Sequence, residues 1–359
     1  MVPLDSLALP QDGLRPPSFF GLGRAGLADL MSRVGEPGYR ADQLLTWVYR
    51  RRIRDPHGMS NLPADLRERL SGLCELELPE VERLLGNASG DTFKFVLRLG
   101  DGELVECVSM RTDRRLTLCL SSLVGCALKC SFCATGLMGL KRNLDAAEIV
   151  AQVMIMGEHH GWQDERFNLV FMGMGEPLVN YEPLVASIRI LREAHGLNLG
   201  ARRITVSTSG VVPQIRRLAD EGMPVGLAVS LHATTDETRN ELVPINRRWP
   251  IAELLEAARD YGRKTGRRVT LEYTLIADVN DSPADAERLS GFARELPSKI
   301  NLIPYNPVPG LEWKRPSPER VAAFAESLYP RAPAVTVRNT MGGEIWAACG
   351  QLGGLSPAS

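Results

Sequence analysis

The sequence predicts an α/β protein: a partial barrel of six β/α units, preceded by a small helical domain and a β-hairpin extension. Three observations carry this. From Leu116 onward, short apolar runs alternate with helical patterns, as parallel strands buried on both faces alternate with their crossover helices. Before Thr92 there is no such alternation. Between the two regions, alternating runs flank a Gly-Asp-Gly turn, the pattern of a hairpin.

Residues 1–90 are expected to be helical, with segments Leu27–Val34, Ala41–Arg51 and Ala64–Leu70 separated by Gly/Pro turns. Residues 91–115 form the hairpin. The barrel occupies residues 116–345, with strands expected at 116–122, 167–173, 203–209, 225–232, 268–276, 299–305 and 334–339. Helices are expected at Asp145–Glu158, Glu182–His195, Val212–Glu221, Ile251–Thr265, Pro283–Leu296 and Pro318–Leu328. Asp145 with Glu148 three residues later is a capping signature for the first of these. Six units are two short of a closed barrel, so an open barrel and a doubly wound sheet both fit. Residues 346–359 form a C-terminal segment.

The 359 residues, 44% hydrophobic and 24% charged, are ordinary for a globular chain. Gly (33) and Pro (24) together stay well below low-complexity levels, which excludes disordered and fibrous classes. No apolar run is long enough to span a bilayer. The N-terminal stretch lacks a basic region and carries Asp5 and Asp12, unlike a secretory signal. A cytoplasmic protein with no membrane association is expected. The net charge of −1 gives no bulk argument for nucleic acid. Local basic patches do exist, at Tyr49–Arg54, Arg202–Arg203, Arg247–Arg248, Arg263–Arg268 and Lys314–Arg315; each alone reads as a solvated face.

In parallel β/α folds the active site lies at the C-terminal ends of the strands. Here those positions are polar and Gly-rich, and the first holds Cys126, Cys130 and Cys133 as C-x3-C-x2-C. Seven cysteines, three of them within eight residues, are no disulfide framework and point to a metal or redox site. A structural zinc site normally takes four protein ligands. A [4Fe–4S] cluster also normally takes four cysteines, so one held by three leaves an iron open. Spacing alone leaves both metals open.

The Cys loop after the first strand, followed by Gly173-Met174-Gly175-Glu176-Pro177 after the second, resembles the radical S-adenosylmethionine (SAM) superfamily. There the open iron of a [4Fe–4S] cluster is chelated by SAM, which is cleaved to a 5′-deoxyadenosyl radical. Further segments narrow the likeness: TLCLSSLVGCALKCSFCATG, ITVSTSGVVP, AVSLHA, INLIPYNPVPG and TVRN…AACGQL. From roughly Tyr39 to Leu352 the chain resembles the dual-specificity methyltransferases acting on carbon 2 of adenine in 23S ribosomal RNA and in tRNA.

The resemblance implies Cys126, Cys130 and Cys133 as cluster ligands, and Gly175, Glu176, Ser207, Ser230, Leu231, His232 and Asn306 as SAM contacts. It implies Cys349 as methyl carrier, Cys119 as its transient disulfide partner and a proton-transfer group, and Glu106 as proton acceptor, with two SAM molecules per turnover. It further implies a one-electron reductant such as flavodoxin or ferredoxin, a monomeric state, and RNA binding by the N-terminal domain. Cys74 and Cys107 match nothing and are read as structural. The nearest rival is the carbon-8 methyltransferase of antibiotic resistance, which shares the cluster loop and both extra cysteines. A radical activase, or a zinc-dependent RNA-binding module, is more distant.

Overall fold

The computed structural model describes residues 16–112, 115–161, 167–329, 332, 334–338 and 340–353. The N-terminal stretch read above for a signal, and residues 354–359 of the C-terminal segment, lie outside them. Helices α1 (Gly23–Arg33), α2 (Arg40–Leu45) and α3 (Ala64–Leu73) build the N-terminal part. Leu27, Leu30 and Met31 recur at helical spacing on the buried face of α1. The helix expected at 41–51 is α2 continued by a π-turn over Thr46–Arg50. Trp47 and Tyr49 are both buried, so neither is available to stack on a base. Arg50 beside them donates to the Gly196 carbonyl at 3.1 Å, and Arg54 pairs with Glu158 at 3.3 Å. Much of this basic patch therefore joins the helical part to the barrel.

Strands β1 (Glu80–Gly86), β2 (Thr92–Arg98) and β3 (Leu104–Thr112) form an antiparallel ribbon. β2 and β3 are the expected hairpin, in register Phe95↔Cys107 and Val96↔Glu106. β1 is a correction, because it falls within the stretch expected to be helical. It is an almost fully exposed edge strand held by main-chain pairing to β2, so its side chains carry no period-2 burial signal.

The remaining elements follow the predicted alternation. They are β4 (Arg115–Cys119), β5 (Leu123–Gly125), α4 (Ala134–Leu137), β6 (Leu140–Asn143), α5 (Ala146–His159), β7 (Phe167–Phe171), α6 (Tyr181–Leu191), β8 (Ile204–Thr208) and α7 (Val212–Asp220). Then come β9 (Gly226–Ser230), α8 (Asp236–Leu242), α9 (Ile251–Thr265), β10 (Val269–Leu275), α10 (Pro283–Glu295), β11 (Ser298–Pro304), α11 (Pro318–Leu328) and β12 (Val335–Val337). One sheet runs β1-β2-β3-β4-β7-β8-β9-β10-β11-β12, parallel from β4 onward. The parallel strands are neighbours in chain order with no reversal. That order belongs to an open barrel and excludes the doubly wound alternative.

The capping box of α5 is present, with Asp145 accepting from the Glu148 N–H at 2.8 Å. The β5–β6 ribbon and α8 were not expected. Both are short, and each decorates the C-terminal end of a strand, where the periodicity of the main elements stops. Apolar side chains of the N-terminal helices and the barrel share one continuous core.

Candidate active site

A single cavity at the C-terminal ends of the strands gathers most of the residues singled out by sequence. It is lined by Cys126, Cys130 and Cys133 on one side, by Gly175, Glu176, Ser207, Ser230 and His232 along the strand ends, and by Asn306 and Cys349 at the mouth. A smaller adjoining cavity is lined by both Cys119 and Cys349. Leu231 is the exception among the expected SAM contacts: its side chain is fully buried in the core and lines neither cavity.

The cysteine loop is pinned by main-chain bonds. The Cys126 N–H donates to Gly139 O at 2.9 Å and the Ser131 N–H to Leu242 O at 3.1 Å. The Trp313 indole donates to Ser131 O at 2.9 Å. Burial raises all three thiols, Cys126 to about 11, and mutual repulsion adds to the rise at Cys130. Loading a metal centre must therefore release protons. Among the described residues no three His, Cys, Asp or Glu side chains are grouped to hold a single ion. Three thiols on one loop are one short of the four protein ligands that a structural zinc site takes.

The Gly-x-Gly-Glu turn needs its glycines. A Cβ on Gly173 would meet Ser121 Oγ at 2.6 Å and Leu120 O at 2.7 Å. Gly175 has φ +95 and would strike Leu123 at 2.5 Å. The turn aims a buried Glu176 carboxylate that accepts N–H bonds from Leu178 (3.1 Å) and Ser209 (2.7 Å). Desolvation outweighs these bonds and lifts Glu176 to about 7. An ammonium group arriving in the cavity would restore its charge.

His232 sits at φ +57 with Nδ1 accepting the Thr274 N–H at 3.0 Å. Burial and the nearby Arg239 push it down to about 3, so it presents a neutral ring with an Nε2 donor.

Cys119 ends β4, buried at the smaller cavity. Burial, and then the facing Cys349, push its thiol up to about 12. Cys349 is half-buried on a segment without strand partners, its carbonyl taken by Asn306 Nδ2 at 3.1 Å. Both cysteines are free thiols.

Glu106 lines neither cavity. Its carboxylate pairs with the buried Lys94 at 3.5 Å and accepts the Gly353 N–H at 2.9 Å, so it holds the segment that carries Cys349. Cys74 and Cys107 are fully buried away from the cavities, as expected.

Three cavity-side groups escaped the sequence reading. Arg338 lines both cavities; its guanidinium is raised first by Cys349, then by Glu272 and Cys119. Glu272 is buried in the wall, its carboxyl raised by burial, and accepts from Asn301 Nδ2 at 2.6 Å. Arg239 stands behind the wall in α8. The first two lie inside apolar strand runs, where a polar residue could have been noticed. Arg239 sits in a charged helix and gave no signal.

Residues 120–289 match the radical SAM superfamily model, and residues 18–76 match the N-terminal domain model of ribosomal RNA large subunit methyltransferases. A dual-specificity RNA methyltransferase of Anaeromyxobacter sp. is 46% identical over 96% of this chain and 94% of its own length. A relative from Symbiobacterium thermophilum, named for the same activity, is 48% identical over 92% of this chain and 90% of its own. This chain belongs to the dual-specificity RNA methyltransferase family of radical SAM enzymes. The crystal structure of a radical SAM methyltransferase from Sphaerobacter thermophilus superposes with a TM-score of 0.90 at 48% identity, covering 94% of this chain and 99% of that one. Membership implies a [4Fe–4S] cluster, SAM and an RNA substrate. Among the described residues no helix is long and apolar enough to cross a membrane.

Proposed function

We propose that this enzyme methylates carbon 2 of adenine in 23S ribosomal RNA and in tRNA through a methyl-cysteine intermediate on Cys349. The observation that carries the reading is that Cys349 faces both cavities, the larger with the three-thiol loop and the smaller with Cys119. An activase or a zinc module has no use for that pair. The relatives' shared dual-specificity name favours two RNA substrates over the carbon-8 alternative.

Cys126, Cys130 and Cys133 hold the cluster, and Glu176 binds the amino group of SAM with a charge-assisted bond. Gly175, Ser207, Ser230, His232 and Asn306 complete the cofactor wall, with Leu231 behind it. When bound, the cluster and SAM supply a carbon-centred radical inside the cavity. Cys349 exchanges its thiol proton for a methyl group from one SAM; a second SAM is needed to take a hydrogen atom from that methyl group. The resulting carbon bonds to adenine carbon 2. The adduct gives up one electron to a one-electron acceptor and its ring proton to the Cys119 thiolate. The Cys119 sulfur then attacks the Cys349 sulfur, forming a disulfide, and its proton passes to the released carbon to complete the methyl group. Glu106, expected as the proton acceptor, acts in this geometry chiefly by anchoring the Cys349 segment. The enzyme works as a cytoplasmic monomer fed by a one-electron carrier such as flavodoxin or ferredoxin.

The test is a pair of variants. Cys119→Ala should take the methyl, attack RNA and stall as a protein–RNA adduct that survives denaturant and disappears with ribonuclease. Cys349→Ala should form neither product nor adduct. Normal turnover by Cys119→Ala, or adduct in Cys349→Ala, would overturn the proposal.

A further inference from the structure

Among the described residues, Arg239 is the largest side chain wholly shut off from solvent. Its Nε donates to the Leu231 carbonyl at 2.9 Å, and its Nη2 to the carbonyls of Ser209 (2.7 Å) and Ser230 (3.0 Å). Nη1 donates to Asn246 Oδ1 at 2.8 Å. Among the described residues no carboxylate bonds to it. Asp236 acts on it through space, but its Oδ1 already accepts from the Asn246 amide (2.9 Å) and the Ile251 N–H (3.0 Å). A buried cation without a bonded anion is costly, and packing alone would be served better by an apolar side chain.

Two connections show where this guanidinium is directed. The Ser209 whose carbonyl it holds gives its N–H to Glu176 at 2.7 Å, so Arg239 fixes one end of the hydrogen bond that aims the carboxylate. The Ser209 and Ser230 whose carbonyls it holds line the same cavity as Cys130. It thus bridges the loops after β8 and β9, behind the place where negative charge would gather.

We infer that Arg239 is the positioning residue and buried counter-charge of the cofactor site. Its fork ties the two loops into one frame, and its charge offsets that of the thiolates, the cluster and the SAM carboxylate. This rests on the functional reading above. A lysine could supply the charge but not a fork spanning three carbonyls.

The test compares Arg239→Gln and Arg239→Lys in the full chain, as reconstituted holoenzyme and as apoprotein. The Gln variant should shift the cluster midpoint potential to more negative values, because a nearby positive charge favours the reduced cluster. It should also bind SAM roughly tenfold more weakly, as expected for one lost charge-assisted bond's worth of positioning. Amide hydrogen exchange at Ser209 and Gly210 of its apoprotein should accelerate. The Lys variant should keep the potential near wild type but show the same faster exchange. A Gln variant with wild-type potential and wild-type exchange overturns the inference, and so does a Lys variant whose potential shifts as far as that of Gln. If the Gln variant does not fold, unchanged exchange at Ser209 in the Lys variant is sufficient to overturn it. Wild-type protein that takes up no iron would instead overturn the functional reading, leaving the apoprotein comparison intact.

Discussion

The cofactor wall of the cavity and the segment that brings Cys349 to it are built from different material. The wall is the ends of consecutive parallel strands, each bonded to a neighbour on both sides, with Glu176, Ser207, Ser230 and His232 fixed to that frame. The Cys349 segment has no strand partner. It is a chain of turns, with left-handed conformations at Trp346 and Gly350, tied down one bond at a time. Lys94 Nζ holds Trp346 O at 3.3 Å, the Ala134 N–H holds Gly350 O at 2.8 Å and Thr135 Oγ holds Leu352 O at 2.6 Å. Bonds of this kind open locally at a small fraction of the cost of unzipping a strand. The difference suits the proposed chemistry, in which one wall holds a cofactor still while Cys349 meets first a methyl donor, then a base, then Cys119.

Five experiments break or sharpen this contrast. The largest effect is expected on the wall side, where Cys126→Ala, Cys130→Ala or Cys133→Ala should reduce bound iron and sulfide to near zero by metal analysis, since two thiolates cannot hold the cluster. Next, Glu176→Gln should weaken SAM binding by roughly 10- to 100-fold in calorimetry with iron content unchanged.

The same residue sets a pH dependence. Its carboxyl is lifted from 4.5 to about 7, so the stability it lends the empty protein is complete below pH 4.5 and lost as pH rises through 7. SAM binding needs the carboxylate and runs the other way, weakening as pH falls below 7 in wild type but not in Glu176→Gln.

On the segment side the effects should be smaller and local. Lys94→Met leaves Glu106 without its cation and should cost about 3 kcal/mol in denaturant unfolding. Under limited proteolysis the chain should then be cut within residues 340–353, while SAM affinity holds. Thr135→Val should cost about 1 kcal/mol by removing one bond to Leu352 O, with a change in SAM affinity well below that of Glu176→Gln. If either segment variant weakens SAM binding as much as Glu176→Gln does, the two regions are one unit and the contrast is wrong.

The same division decides what could be read in advance. All seven parallel strands lie where the sequence placed them, because the inner ones bury both faces and leave near-continuous apolar runs, with β12 a short, half-exposed edge. The cysteine loop and the Gly-x-Gly-Glu turn were legible because strand ends locate them and glycine is sterically required there. What was missed is held by main chain or by distant side chains. β1 gains its place by pairing rather than burial, and Arg239 works through carbonyls that belong to no motif. Glu106 was assigned a chemical role by likeness alone. The partners of its carboxylate, Lys94 and the Gly353 N–H, add a second part, tying down the segment, that no motif announced.

The anchors of the segment have one more consequence. Four of them join residues 216 to 252 positions apart along the chain. Closing loops of that length is entropically slow, and contacts of high sequence separation form late in folding. A refolding chain therefore pairs its hairpin and strands first and docks Cys349 last. The main cavity then takes shape before Cys349, the proposed methyl carrier, is delivered to it, and arrival of that thiol is the final step of assembly.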